Sequence, residues 1–135
     1  MKIHGILETS LYSDDLAEAE HFYRLMPGLE FISKEEGRHI FFRCGKSMLL
    51  IFNPKTTSEP DRNSSENRIP QHGCSGQGHV AFSIKPDTEK KWKTFFRENN
   101  IEIESEVTWP NGSVSLYFRD PAGNSLELVT PEIWD

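Results

Sequence analysis

The sequence is short of several things, and each shortage removes a class of function. Two cysteines, Cys44 and Cys74, in 135 residues make no disulfide framework, so a reducing cytoplasm is the expected setting. No apolar run approaches membrane-spanning length, and the N-terminus lacks the apolar core of a secretion signal, so no membrane partner is expected. No extended run of lysine and arginine appears, and a net charge of −6 argues against a nucleic-acid partner. What remains has ordinary soluble composition, 36% hydrophobic and 27% charged, at single-domain length.

What is present is patterned. Gly78-His79-Val80-Ala81-Phe82-Ser83-Ile84 alternates with the period of a strand packed on a core, placing His79 among small residues on the less apolar face. Gly5–Leu11 and Asn124–Val129 share the design and carry Glu8 and Glu127. Between them the chain predicts a helix from Ser13-Asp14-Asp15, with Leu16, Ala19, Tyr23 and Met26 on one face and Pro27-Gly28 as its end. Strands are expected over 29–33, 38–44 and 47–53. A second helix is expected from Asp87 to Asn99-Asn100, then strands over 101–104, 113–119 and 125–129. The polar stretch from Pro54 to Gly78 reads as a long connection, either a tether or a lid.

The order strand, helix, three strands therefore occurs twice. Phe41-Phe42-Arg43 recurs as Tyr117-Phe118-Arg119, Phe22-Tyr23-Arg24 as Phe95-Phe96-Arg97, and the segment from Gly45 lines up with that from Gly123. The expected fold is α+β: a βαβββ module over 1–53, a connection over 54–77 and a second βαβββ module over 78–135. Their mixed sheets are expected to curl around a shared concavity as one domain.

The repeat makes Glu8 and His79 equivalent positions on the first strands and sets Glu127 against Leu49 on the last. Three polar positions and one leucine would then face one another. Two carboxylates and an imidazole on three strands form a donor set for one divalent metal ion with open positions. Zn, Ni, Mn and Fe(II) all remain open.

At these residues the chain resembles the vicinal oxygen chelate superfamily of glyoxalase I, extradiol dioxygenases, fosfomycin-resistance thiol transferases, methylmalonyl-CoA epimerase and bleomycin-resistance proteins. Ile6-Leu7-Glu8 with Asp14-Asp15-Leu16 and Phe22-Tyr23 is similar to the opening of that family's first module, and Gly78–Phe82 to the opening of its second. The run Tyr117–Leu128, with its Asp120-Pro121-Ala122-Gly123-Asn124 turn, is similar to its closing hairpin. The resemblance implies metal ligands at Glu8, His79 and Glu127. A fourth position, occupied in glyoxalase I, falls on Leu49, which cannot coordinate. Glu8 stands where the dioxygenases and fosfomycin enzymes carry a histidine, so two-histidine, one-carboxylate iron chemistry fits poorly.

The resemblance further implies a homodimer, with ligands drawn from both subunits, and a small-molecule substrate. A glyoxalase-like lyase or isomerase is the leading expectation, with Glu8 or Glu127 doubling as the proton-transferring base. An extradiol-type dioxygenase and a metal-free, bleomycin-resistance-like binding protein stand as alternatives. Strand parity puts Ile51, Ser125 and Val129 on the inward face with Leu49 and Glu127. Tyr12, Arg43, His72, Trp109, Tyr117 and Arg119 are candidate substrate contacts, the arginines alternatively closing structural ion pairs.

Overall fold

In the computed structural model, which describes residues 1–60 and 68–134, the first strand is β1 (Glu8–Tyr12) and leads into helix α1 (Leu16–Leu25). Asp15 caps α1 by accepting the Glu18 N–H at 3.0 Å, the local bond that sets the helix start. Gly28, at φ +92°, turns the chain out of the helix into β2 (Leu29–Glu35). β3 (His39–Cys44) and β4 (Ser47–Phe52) complete a mixed sheet in the order β1-β4-β3-β2, with β1 parallel to β4 and the other pairs antiparallel.

A one-turn helix, α2 (Pro54–Thr57), follows β4. The expected lid or tether over 54–77 is thus partly a helix. Its residues 61–67 lie outside the described residues. Residues 71 and 72 are tied back to α2: His72 N–H donates to Thr57 O at 3.1 Å and the Gln71 amide to Ser58 O at 2.6 Å.

The second βαβββ set is β5 (His79–Ser83), α3 (Glu89–Glu98), β6 (Ser105–Thr108), β7 (Val114–Arg119) and β8 (Ser125–Val129). Its sheet runs β5-β8-β7-β6, the same order and the same mixture of parallel and antiparallel pairs as the first. A 3₁₀ turn (Pro131–Trp134) ends the described chain. The α+β class and the tandem βαβββ arrangement agree with the sequence reading. The described chain divides into two compact units, 1–76 and 77–135.

Two expected details differ. Residues 101–104 form no strand; pairing begins where Glu104 N–H donates to Tyr117 O, and β6 occupies 105–108. The Ile101–Ile103 alternation instead half-buries two side chains after Asn100, whose φ of +55° reverses the chain while Ile101 N–H donates to Phe96 O. Asp87 is not the cap of α3. It sits at φ +61° and Thr88 precedes the helix, so the turn that aims α3 overrides the local capping preference.

Each sheet buries one face under its helix. In the first unit Leu11, Ile40, Phe42, Leu49 and Ile51 share that face, and Tyr23 of α1 packs on Phe42 with ring centroids 5.8 Å apart. In the second, Leu116, Phe118, Leu126 and Leu128 form the equivalent layer, and Phe96 of α3 meets Phe118 at 4.7 Å. Burying such side chains supplies about 1.5–3 kcal/mol apiece, which fixes both registers and therefore what the opposite faces carry.

Candidate functional site

The face of the second sheet turned away from α3 holds His79, Ala81 and Ser83 on β5, Ser125, Glu127 and Val129 on β8, and Ser115, Tyr117 and Arg119 on β7. On it His79 Nε2 lies 3.4 Å from Glu127 Oε2, the imidazole about half exposed and the carboxylate buried. His79 Nδ1 is 3.0 Å from the Ser125 carbonyl oxygen. A carbonyl only accepts, so Nδ1 carries a proton, and in the neutral ring Nε2 presents its lone pair. Glu127 Oε1 accepts from the Ser115 hydroxyl at 2.5 Å, and Ser115 Oγ in turn accepts from the Trp109 indole at 2.8 Å.

The turn before β8 holds His79 in place. Gly123, at φ +85°, closes the 120–124 turn by donating to Asp120 O. Buried Asp120 receives the Asn124 backbone and side-chain N–H groups, each at 2.8 Å. Asn124 Oδ1 then accepts the Gly78 N–H at 2.8 Å, and Ser125 N–H donates to Gly78 O. The residue before His79 is thereby fastened to the residues before Glu127.

Tyr117 lies opposite Glu127 in the β7–β8 register, with its ring 6.5 Å from that of His79. Burial first, and then the Glu127 charge, push its phenol above the ordinary tyrosine range; the phenol also hydrogen-bonds with Ser115, which partly offsets the shift, and with Glu127, which adds to it. Arg119 is committed elsewhere: it grips Glu104 through two bonds of 2.6 and 3.1 Å and donates to Gly123 O. Of the two readings of that arginine, the structural ion pair is the one observed. Trp109 starts the Trp109-Pro110-Asn111-Gly112 turn, and its indole reaches inward to Ser115.

In the first unit the face away from α1 carries Glu8, Ser10 and Tyr12 on β1, Met48, Leu50 and Phe52 on β4, and Phe41 and Arg43 on β3. Glu8 and Arg43 are exposed, and neither side chain forms an ion pair or hydrogen bond among the described residues. Tyr12 OH meets His72 Nδ1 at 2.7 Å, and the His72 ring stands edge-on to Phe52 at 4.6 Å. His72 therefore belongs to an aromatic cluster on this face, and its Nδ1 faces a phenol.

The register corrects one assignment. Leu49 pairs with Thr9 and Phe42 on the helix-covered side, with Ile51, whereas Leu50 pairs with Phe41 as Glu127 pairs with Tyr117. The repeat counterpart of Glu127 is thus Leu50, not Leu49. Four residues separate the Arg43–Met48 pair in the first hairpin and five separate Arg119–Ser125 in the second, so aligning Gly45 with Gly123 slips the register by one.

Among the described residues no group of three His, Cys, Asp or Glu side chains is assembled to hold a metal ion. The pair that is assembled nonetheless suits one. Donors about 2.1 Å from a common ion lie roughly 3.0–3.4 Å apart in octahedral or tetrahedral geometry, and His79 Nε2 and Glu127 Oε2 are 3.4 Å apart. Glu8, the third expected donor, lies in the other unit. Ser115 escaped the sequence reading, and Asn124 entered it only as part of the turn motif. Only the two-residue period leading back from Tyr117 marks Ser115 as a site-face residue.

The Glyoxalase/Bleomycin resistance protein/Dioxygenase superfamily model matches residues 5–128, and the chain belongs to that superfamily. It is 46% identical to the crystal structure of lactoylglutathione lyase from Agrobacterium tumefaciens, with a TM-score of 0.91 over 99% of this chain and 98% of that one. It is 25% identical to the metallothiol transferase FosB of Staphylococcus haemolyticus (strain JCSC1435), over 98% of this chain and 88% of the relative. A mutant of the fosfomycin resistance protein FosX from Listeria monocytogenes, solved with Mn(II) and a dihydroxypropylphosphonic acid, shares the fold: TM-score 0.67 at 20% identity, over 94% and 90% of the two chains. No helix of the described residues is long and apolar enough to cross a membrane.

Proposed function

We propose that the protein is a metal-dependent lyase or isomerase of a small oxygenated substrate, with His79, Glu127 and Glu8 as ligands to one divalent ion. The observation that carries this reading is the His79–Glu127 pair, whose Nε2 and Oε2 atoms face each other at 3.4 Å while Nδ1 and Oε1 are bonded to Ser125 O and the Ser115 hydroxyl. Glu8 joins the set because it opens β1 as His79 opens β5. Glu8 of the same chain or of a second copy supplies that donor, and a cytoplasmic homodimer is part of the proposal. The ion's contribution is to polarise neighbouring substrate oxygens as a Lewis acid.

The two carboxylates are held differently, and this divides their roles. Glu127 is buried and fixed by Ser115, which suits a ligand. The Glu8 side chain has no partner among the described residues, so it would be free to accept a proton from the carbon beside the carbonyl. Protonated Tyr117 donates toward the developing oxygen charge, and exposed Arg43 pairs with an anionic substrate group.

The 46% likeness to a lactoylglutathione lyase favours a hydroxyacyl thioester or its hemithioacetal isomer as the substrate class. The test is metal-reconstituted protein mixed with the hemithioacetal of glutathione and a 2-oxoaldehyde, following thioester absorbance, with oxygen uptake on catechols run alongside. Metal-dependent thioester formation without oxygen uptake is expected, and Glu8→Gln lowers kcat by about 10²–10⁴-fold. Oxygen consumption, or tight substrate binding with no turnover at any metal, would replace the reading with the dioxygenase or the binding protein.

A further inference from the structure

We infer that Ser115 and Trp109 are positioning residues that restrict Glu127 to a single coordinating oxygen, Oε2. The inference rests on the metal-dependent reading of the same face and deepens it.

The chain of bonds has only one direction. An indole N–H donates and never accepts, so the 2.8 Å contact makes Ser115 Oγ an acceptor from Trp109. A serine hydroxyl has one proton, and a carboxylate oxygen accepts, so that proton lies in the 2.5 Å bond to Glu127 Oε1. Ser115 is 0% and Glu127 6% exposed, so water does not compete for either group. Hydroxyl-to-carboxylate bonds of this length are the strong, charge-assisted kind.

Trp109 is itself held. Its N–H donates to Ser113 O and its carbonyl accepts from Gly112, whose φ of +86° favours glycine. The Asn111 amide donates to Glu132 O at 2.7 Å, fastening the same turn to the segment after β8. The hydroxyl therefore cannot rotate away without breaking a bond at a rigid turn. With Oε1 committed, Glu127 offers one donor atom rather than two. A bidentate carboxylate would occupy a second position on the ion, which is the position a second substrate oxygen needs. Neither Ser115 nor Trp109 touches the ion or the substrate; both act through Glu127.

The experiment compares wild type with Ser115→Ala, Ser115→Thr and Trp109→Phe, each checked for folding by near-UV circular dichroism. Co(II) is titrated into the metal-stripped proteins, reading affinity and the visible absorption spectrum. Loss of the hydroxyl is expected to weaken Co(II) binding about 10–100-fold and to change the band pattern as the second oxygen enters the coordination shell. Trp109→Phe is expected at the low end of that range, and Ser115→Thr restores both readouts. If Ser115→Ala fails to fold, Trp109→Phe against Ser115→Thr decides the matter. Wild-type affinity and spectrum in both Ser115→Ala and Trp109→Phe would overturn the positioning role and leave the metal reading standing. A wild-type protein that takes up no Co(II) would bring down both.

Discussion

Leu50 of the first sheet and Glu127 of the second hold the same register position, each opposite an aromatic residue of the middle strand, Phe41 and Tyr117 respectively. One copy of the repeat thus spends the position on an apolar side chain and the other on a carboxylate. Leu49, one residue away, belongs to the helix-covered core and is 2% exposed. Leu49→Ala is expected to cost about 2–5 kcal/mol in chemical denaturation. Its metal content should match wild type. A large loss of metal from a folded Leu49→Ala protein would contradict the assignment of Leu49 to the helix-covered face.

Asn124 joins the closing hairpin to the residue before His79, and its removal leaves Gly78 N–H and an Asp120 oxygen without that partner. Buried groups stripped of a hydrogen bond cost roughly 1–3 kcal/mol each. Asn124→Ala should lower stability by about 2–4 kcal/mol, and Asn124→Asp, which sets a second carboxylate against Asp120, by at least as much. Urea denaturation measures both; a change below about 0.5 kcal/mol in either would show that the turn holds without the carboxamide.

The distinctive turn motif was readable in the sequence because its glycine and its Asp/Asn pair are each demanded by local geometry. His79 and Glu127 were readable because one polar residue in an alternating apolar run must lie on the uncovered face. Three features were not. Residues 101–104 alternate like a strand, yet the left-handed Asn100 and the bond from Ile101 to Phe96 hold them as a connection. The repeat counterpart of Glu127 is Leu50 and not Leu49, because matching the glycines aligns hairpins of unequal loop length. Ser115 carried no signal of its own, since a serine in a strand announces neither a buried carboxylate beside it nor an indole behind it.

Tyr12 and His72 are 60 positions apart in sequence and share a 2.7 Å bond, beside Phe52. Tyr12→Phe and His72→Ala should each destabilise, by about 1 kcal/mol for the phenylalanine and somewhat more for the alanine, which also loses the ring contact. Their double-mutant cycle should return a coupling of about 0.5–1.5 kcal/mol. Strict additivity would mean that the bond contributes nothing to holding this part of the connection.

His39 gives the fold a pH dependence. Burial pushes its imidazole below the ordinary histidine value of 6.5, the nearby Arg38 adds to this, and the Glu35 carboxylate partly offsets it. Above that pH both folded and unfolded chains are neutral at this position. As pH falls through 6.5 the unfolded chain takes up the proton first, so stability declines until the folded value is reached and then levels. His39→Phe keeps the stack on Phe41, whose ring lies 3.9 Å away, and should show a shallower decline between pH 7.5 and pH 5 (roughly the histidine titration range). Parallel profiles for the two proteins would exclude His39 as the titrating group.

The central claim is that the pair of His79 Nε2 and Glu127 Oε2 is the core of a metal site. Its most direct test is elemental analysis of protein purified without a metal-affinity tag, together with His79→Ala and Glu127→Ala. The account predicts near-stoichiometric divalent metal in the wild type and its loss from both variants while they remain folded. A metal-free wild type whose melting temperature and metal content are unmoved by added Zn, Mn, Ni or Fe(II) would contradict it.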